Sequence, residues 1–272
     1  MRTKYTFLLL FAILILFGCN REKRVLAHRG SGSQLNIING DTIYENTLKA
    51  IKYAFENFDG AEIDIQMSKS GTIWLYHNDE LYTIDSLTPI CIPSAKDSEI
   101  ITLNSKLPIW KKLCTLEDIL TYQSSLKDEK YISLDVKGYF KATCIDKRSV
   151  SNEYQHNIAK KIIALANKYN LENLILVETD YQEVLNYIKR NNNDIECYFL
   201  AYDNLIKKVD FAKEKDYDGI SFNFNDSSLN NENIKYLHNN SLKIQIWTIH
   251  NKTDKQKTLN LDVDYIQSDI LF

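Results

Sequence analysis

A regular alternation of short apolar runs and amphipathic stretches constrains this 272-residue chain more than any other feature. Strand-like runs fall at 25–28, 61–67, 131–137, 173–179, 196–202, 217–224, 243–249 and 264–269. Between most of them the apolar residues take helical spacing, as at 45–57, 153–169, 180–191 and 203–215. The strand period of 2 and the helix period of about 3.6 residues separate the two classes. Eight strands joined by helices predict a closed (β/α)8 TIM barrel. An open doubly wound sheet is the alternative, but the chain carries no Gly-rich dinucleotide fingerprint.

One segment breaks the rhythm. The run 72-TIWLYH-77 follows the second strand with only Ser70-Gly71 as a turn signal, so it must fold back as a hairpin. If Ser70-Gly71 is a two-residue turn, Asp64 faces His77 and Glu62 faces Asp79. A three-residue turn would send His77 to the other face. From about 80 to 115 the periodicity fades, and all three prolines fall there. This stretch reads as an insertion, either a lid over a site or a structural cap.

The first residues are an export signal rather than part of the fold. Arg2 and Lys4 precede the apolar run 7-FLLLFAILILFG-18, which is too short for a comfortable transmembrane helix. Leu16-Phe17-Gly18-Cys19 resembles a bacterial lipoprotein cleavage site. That resemblance implies removal of residues 1–18, lipid on Cys19, a short tether over 19–24 and a barrel domain over 25–272. The expected location is the bacterial cell envelope, on a membrane through the lipid anchor. The remaining cysteines, Cys91, Cys114, Cys144 and Cys197, lack C-x-x-C spacing, so zinc is not expected. Export permits disulfides. A Cys91–Cys114 bond and free buried thiols both stay open. A net charge of −3 gives no basic footprint for nucleic acid.

In such barrels the chemistry gathers at the C-terminal ends of the strands. The first strand ends in His28-Arg29, the second carries Glu62 and Asp64, and the third carries Asp135 and Lys137. The seventh carries Trp247, as a groove wall or a core residue, and then His250. Glu62 and Asp64 lie two apart and share a face. If that face is buried, the like charges call for a cation between them.

The order H-R-G, 45-ENT-47, 62-EID-64, a hairpin ending in histidine, 134-LDVK-137 and 247-WTIH-250 resembles the glycerophosphodiester phosphodiesterase family. The resemblance implies a divalent cation on Glu62, Asp64 and Asp135, acid–base chemistry by His28 and His77, and phosphate contacts from Arg29 and Lys137. Glu45 would orient Arg29 or touch the water shell of the metal. An all-carboxylate set favours a hard ion, Ca²⁺ or Mg²⁺. The expected substrate is a glycerophosphodiester, cleaved to an alcohol and glycerol 3-phosphate. The chain departs from the family at Asp135, where Glu is usual, at Asn78 in place of Asp, and at His250 in place of Asn. An Arg-Thr-Thr stretch is missing from 80-ELYTIDS-86. The other readings are a phospholipase-type enzyme acting on a lipid head group and a non-catalytic binding lipoprotein.

Overall fold

The computed structural model describes residues 23–32, 35–38, 40–82, 89–137, 144 and 151–272. The export segment and Cys19 lie outside the described residues. The first strands are β1 (Arg24–Ala27), β2 (Leu35–Ile38), β3 (Asp41–Tyr44), β4 (Gly60–Met67), β5 (Ile73–Leu75) and β6 (Tyr131–Val136). They are followed by β7 (Ile175–Thr179), β8 (Glu196–Ala201), β9 (Gly219–Asn223), β10 (Lys243–Ile249) and β11 (Tyr265–Ser268). The helices are α1 (Leu48–Asn57), α2 (Asp97–Lys106), α3 (Leu116–Gln123), α4 (Asn152–Tyr169), α5 (Gln182–Asn191), α6 (Leu205–Glu214), α7 (Asn231–Asn239) and α8 (Lys252–Thr258).

Eight parallel strands, β1, β4 and β6 to β11, close into a barrel through the β1–β4 and β1–β11 pairings. The expected (β/α)8 barrel is thus present, with the short β5 added outside it. β1 reaches only as far as Gly60-Ala61 of β4, and β5 takes the same edge higher up, at Ile65–Met67. Every barrel crossover carries a helix, which parallel strands require. Side chains fix several helix starts: Thr47 Oγ1 accepts from the Ala50 N–H and Ser151 Oγ from the Tyr154 N–H. Apolar stripes such as Ile158, Ile162 and Leu165 of α4 are buried against the barrel. Each such side chain contributes about 1.5–3 kcal/mol on burial. A charge at Ile162 would break that contact.

The barrel interior is layered. Leu26, Leu176, Tyr198 and Tyr265 fill the base. Above them lies a buried polar floor of Ser133, Glu178, Ser221, Gln245 and Gln267. The pocket opens above that floor.

The insertion has a core of its own, built from Trp74, Tyr76, Leu81, Ile92, Ile100 and Leu103. It also contains α2, which the faded periodicity conceals. Asp97 anchors it to the hairpin, accepting from Ser68 Oγ at 2.6 Å, Thr72 Oγ1 at 2.5 Å and Trp74 Nε1 at 3.1 Å. Among the described residues, none from 89 to 115 lines the pocket. Cys91 is bonded to Cys144, not to Cys114. Cys144 lies against the hairpin, its Sγ 3.0 Å from the Asp79 carbonyl, while Cys114 is buried beside the Asn46 carbonyl. Cys114 and Cys197 are free and buried.

Candidate active site

β1 ends in a tight turn, His28–Gly30, that places two polar side chains at the mouth of the barrel. The His28 ring is buried, with Nδ1 2.7 Å from Asp269 Oδ1 and Nε2 3.8 Å from Glu62 Oε2. Burial lowers the His28 pKa, while its hydrogen bond to Asp269 pulls the other way. Arg29 sits at φ 52°, a left-handed conformation that is costly for a non-glycine residue. Two backbone bonds hold it there: its N–H donates to Glu62 Oε2 at 2.8 Å, and its carbonyl accepts from the Asn46 N–H at 3.0 Å. Gly30 has φ 82°, and a Cβ there would lie 2.7 Å from Ile51 and 2.9 Å from the Ala50 backbone. Close packing against α1 therefore demands this glycine, in addition to the turn.

The tripeptide 45-ENT-47 serves the same corner. Glu45 Oε2 accepts from Arg29 Nη1 at 3.0 Å. Asn46 grips Asp64 twice, donating from Nδ2 to Oδ2 at 2.6 Å and accepting the Asp64 N–H at 3.0 Å. Thr47 caps α1.

Glu62 and Asp64 stand on one face of β4, and Asp64 pairs with Asp135 across β6. Carboxylate oxygens of Glu62, Asp64 and Asp135 lie within 4.8 Å of one another, and all three residues are buried. Burial drives the Glu62 pKa well up, and Asp64, Glu178 and Asp135 push it further. Burial followed by Asp64 also raises Asp135, against Lys137. Asp64 is the exception: burial would raise it, but Lys137, His77 and Arg29 hold it below the usual carboxylate range. The Lys137 ammonium lies 2.8 Å from Asp64 Oδ1 and also contacts Asp135. Burial opposes its charge, but Asp135, Asp64 and Glu62 keep it protonated. Three converging buried carboxylates, one of them strongly resisting ionisation, are the environment a hard divalent cation would relieve. The residues fit such an ion.

His77 reaches the site, but not through the expected register. Ser68 and Thr72 flank a three-residue turn, closed by the Ser68 N–H donating to the Thr72 carbonyl at 2.9 Å. Ser68 Oγ accepts from the Ser70 and Thr72 N–H groups, and Gly71 takes φ 88°. Ile65 therefore pairs with Leu75, and Asp64 lies opposite Tyr76 rather than His77. Because β5 stops at Leu75, strand alternation does not extend to His77. The buried Gln66 donates to the Tyr76 carbonyl at 2.8 Å and the Asn78 carbonyl at 3.0 Å, the carbonyls on either side of His77. This clamp presents His77 to the same pocket as His28.

That pocket, of about 420 Å³, is lined by His28, Arg29, Glu62, His77, Asp135 and Lys137 on one side. Tyr202 and Trp247 form the opposite wall, their rings 5.7 Å apart and nearly perpendicular. Trp247 is thus a wall of the groove rather than a core residue.

The glycerophosphoryl diester phosphodiesterase family matches residues 28–270. The chain belongs to this family. A glycerophosphodiester phosphodiesterase of Caldanaerobacter subterraneus is 24% identical over 257 residues, spanning 90% of this chain and 93% of its own. Two solved structures share the fold. One is a glycerophosphodiester phosphodiesterase from Parabacteroides distasonis (TM-score 0.71, 17% identity, 91% of this chain and 92% of that one). The other is an Oleispira antarctica phosphodiesterase in complex with the product sn-glycerol-3-phosphate (TM-score 0.69, 18% identity, 90% and 92%).

Set in this family, the departures fall into place unevenly. Asp135, though one methylene short, still joins the carboxylate cluster. Asn78 is exposed, with Oδ1 3.1 Å from His77 Nδ1. Asp79 lines the pocket. Most of the region lacking Arg-Thr-Thr lies outside the described residues. Sequence reasoning missed Asn46, Gln66 and Asp269 as parts of the site, and Glu178 in the floor beneath it. A signal existed for Gln66, which continues the Glu62–Asp64 face at the same two-residue spacing. For Asp269 the signal was an acid closing the last strand.

Proposed function

We propose that this protein hydrolyses glycerophosphodiesters to an alcohol and sn-glycerol 3-phosphate, using a divalent cation and two histidines. One observation carries the reading: the buried Glu62–Asp64–Asp135 cluster shares a pocket with two basic groups and two imidazoles. The product-bound Oleispira relative supports it. All candidate ligands are carboxylate oxygens, which suits Ca²⁺ or Mg²⁺.

Arg29 and Lys137 bring fixed positive charge to a phosphodiester that repels nucleophiles. The bound cation would act as a Lewis acid on a phosphoryl oxygen. His28 is buried, with Nδ1 pinned to Asp269, so Nε2 is the atom that would take the proton. His77 lines the same pocket and is suited to protonate the leaving alkoxide. The proton accepted by His28 comes from water or from the glycerol 2-hydroxyl. The second route forms a cyclic phosphate, which water then opens. Tyr202 and Trp247 offer apolar surface to the carbons of an alcohol group.

We place the protein in the bacterial cell envelope, held to a membrane by lipid on Cys19. The Cys91–Cys144 bond supports an oxidising compartment.

The test is release of glycerol 3-phosphate from a panel of glycerophosphodiesters with EDTA, Ca²⁺ or Mg²⁺. Metal-dependent release, lost in His28→Ala and His77→Ala, is expected. Metal and ligand binding without turnover of any diester would favour the binding-lipoprotein reading. Cleavage of intact phospholipid head groups alone would favour the phospholipase reading.

A further inference from the structure

Asp269 follows β11 directly, between the ends of β1 and β10. Ala27 of β1 and Ile249 of β10 both pair with Ser268, and the Asp269 N–H donates to the Ile249 carbonyl at 2.9 Å. His28 and His250 each follow those partners by one residue. Three side chains from three adjacent strand ends therefore stand in a row. His28 Nδ1 lies 2.7 Å from Asp269 Oδ1, and His250 Nδ1 lies 2.6 Å from Oδ2.

With His28 on Oδ1 and His250 on Oδ2, both carboxylate oxygens carry an imidazole, which restricts turning about a broad, roughly two-fold terminal torsion. The His250 side chain is 55% exposed, so water competes for its ring, yet it bonds to Asp269 and lines the pocket. Burial works against the Asp269 charge, but His28 and His250 hold its pKa down to about 2.

We propose that His250 is a positioning residue for His28: it locks the Asp269 carboxylate and so aims His28 Nε2 into the pocket. This role rests on the phosphodiesterase reading given above.

A double-mutant cycle on the full-length protein tests it, with kcat and KM measured on a glycerophosphodiester that the wild type cleaves. His250→Ala should lower kcat about tenfold and leave KM within about twofold. His250→Asn can still donate to Oδ2 and should recover most of that loss. Asp269→Asn should cost more, and adding His250→Ala to it should change kcat less than about twofold, because His250 acts through the same carboxylate. A full tenfold loss in the Asp269→Asn background would overturn the proposal. So would a rise in KM at unchanged kcat, which would mark a direct substrate contact.

A second readout needs no turnover. The His28 Nδ1 proton, followed by ¹⁵N-edited NMR, should weaken or move upfield in His250→Ala relative to the wild type. An unchanged resonance would refute the positioning role. If the wild type cleaves no diester, only the functional reading falls, and this spectrum still decides the geometry.

Discussion

Two glutamates are buried inside the same barrel, and their surroundings compensate them unequally. Glu178, in the polar floor, accepts from the hydroxyls of Ser133 and Ser221 and from the amides of Gln245 and Gln267. Burial lifts its pKa to about 7, with Asp135 adding to the rise and Ser221 and Gln267 among the groups pulling it back. Glu62, in the same barrel, accepts from the Arg29 N–H, lies 3.8 Å from His28 Nε2 and otherwise faces Asp64, Glu178 and Asp135. Burial drives its pKa well up too, and there Asp64, Glu178 and Asp135 all add to the rise. A satisfied buried acid belongs to the scaffold, while an under-compensated one marks where a cation is needed.

The largest expected effect follows from this difference. Glu62→Gln should cut kcat/KM by about a thousandfold, some 4 kcal/mol of barrier, while thermal melting shows a folded protein. Comparable turnover in this variant would put the metal elsewhere. The floor should respond through stability instead. Glu178→Ala removes the acceptor shared by four buried donors, of which Gln245 Nε2 keeps the Ser133 and Ser221 hydroxyls, and should cost about 2–4 kcal/mol in urea unfolding. A loss under 1 kcal/mol would mean that the floor is not a structural network. Ca²⁺ or Mg²⁺ at about a hundred times its Kd should stabilise the wild type by about 2.7 kcal/mol, raising Tm by roughly 5–10 °C. That rise should survive Glu178→Ala and disappear in Glu62→Gln. A rise of equal size in both variants would erase the distinction between the two acids.

Residues of the site were legible where one strand carries the pattern. Glu62 and Asp64 declare themselves by spacing, and His28 and Lys137 by ending strands of a predicted barrel. What the sequence hid depends on contacts between distant segments. The hairpin register turned on the Ser68 hydroxyl, which enlarges the turn by one residue and shifts every pair. His77 still reaches the pocket because Gln66 clamps its flanking carbonyls, a bond that no local periodicity encodes. Glu178 lies within an apolar strand, and its four donors come from four other strands. The Cys91–Cys144 bond joins two loops 53 residues apart. The barrel was readable because period 2 and period 3.6 recur along the whole chain, whereas α2 sits in an insertion with a weak pattern.

The smallest effect is the most specific, because it has opposite signs with and without metal. The unfolded chain releases the Glu62 proton near the ordinary value of 4.5, whereas the folded state resists doing so until far higher pH. Below pH 4.5 both states hold the proton and Glu62 costs nothing. Above it the unfolded state alone releases the proton readily, so the metal-free wild type loses stability as pH rises. Glutamine carries no such proton, and its carbonyl can keep the bond from the Arg29 N–H. Metal-free Glu62→Gln should therefore be more stable than wild type by about 1 kcal/mol at pH 8, with a smaller gap at pH 5. Saturating Ca²⁺ or Mg²⁺ should reverse the order, because only the wild type retains the complete ligand set. Urea midpoints at the two pH values, with EDTA and with metal, read all four quantities. If metal-free wild type is the more stable protein at pH 8, Glu62 is already compensated by Arg29 and Lys137. The contrast with Glu178 would then fail at its root.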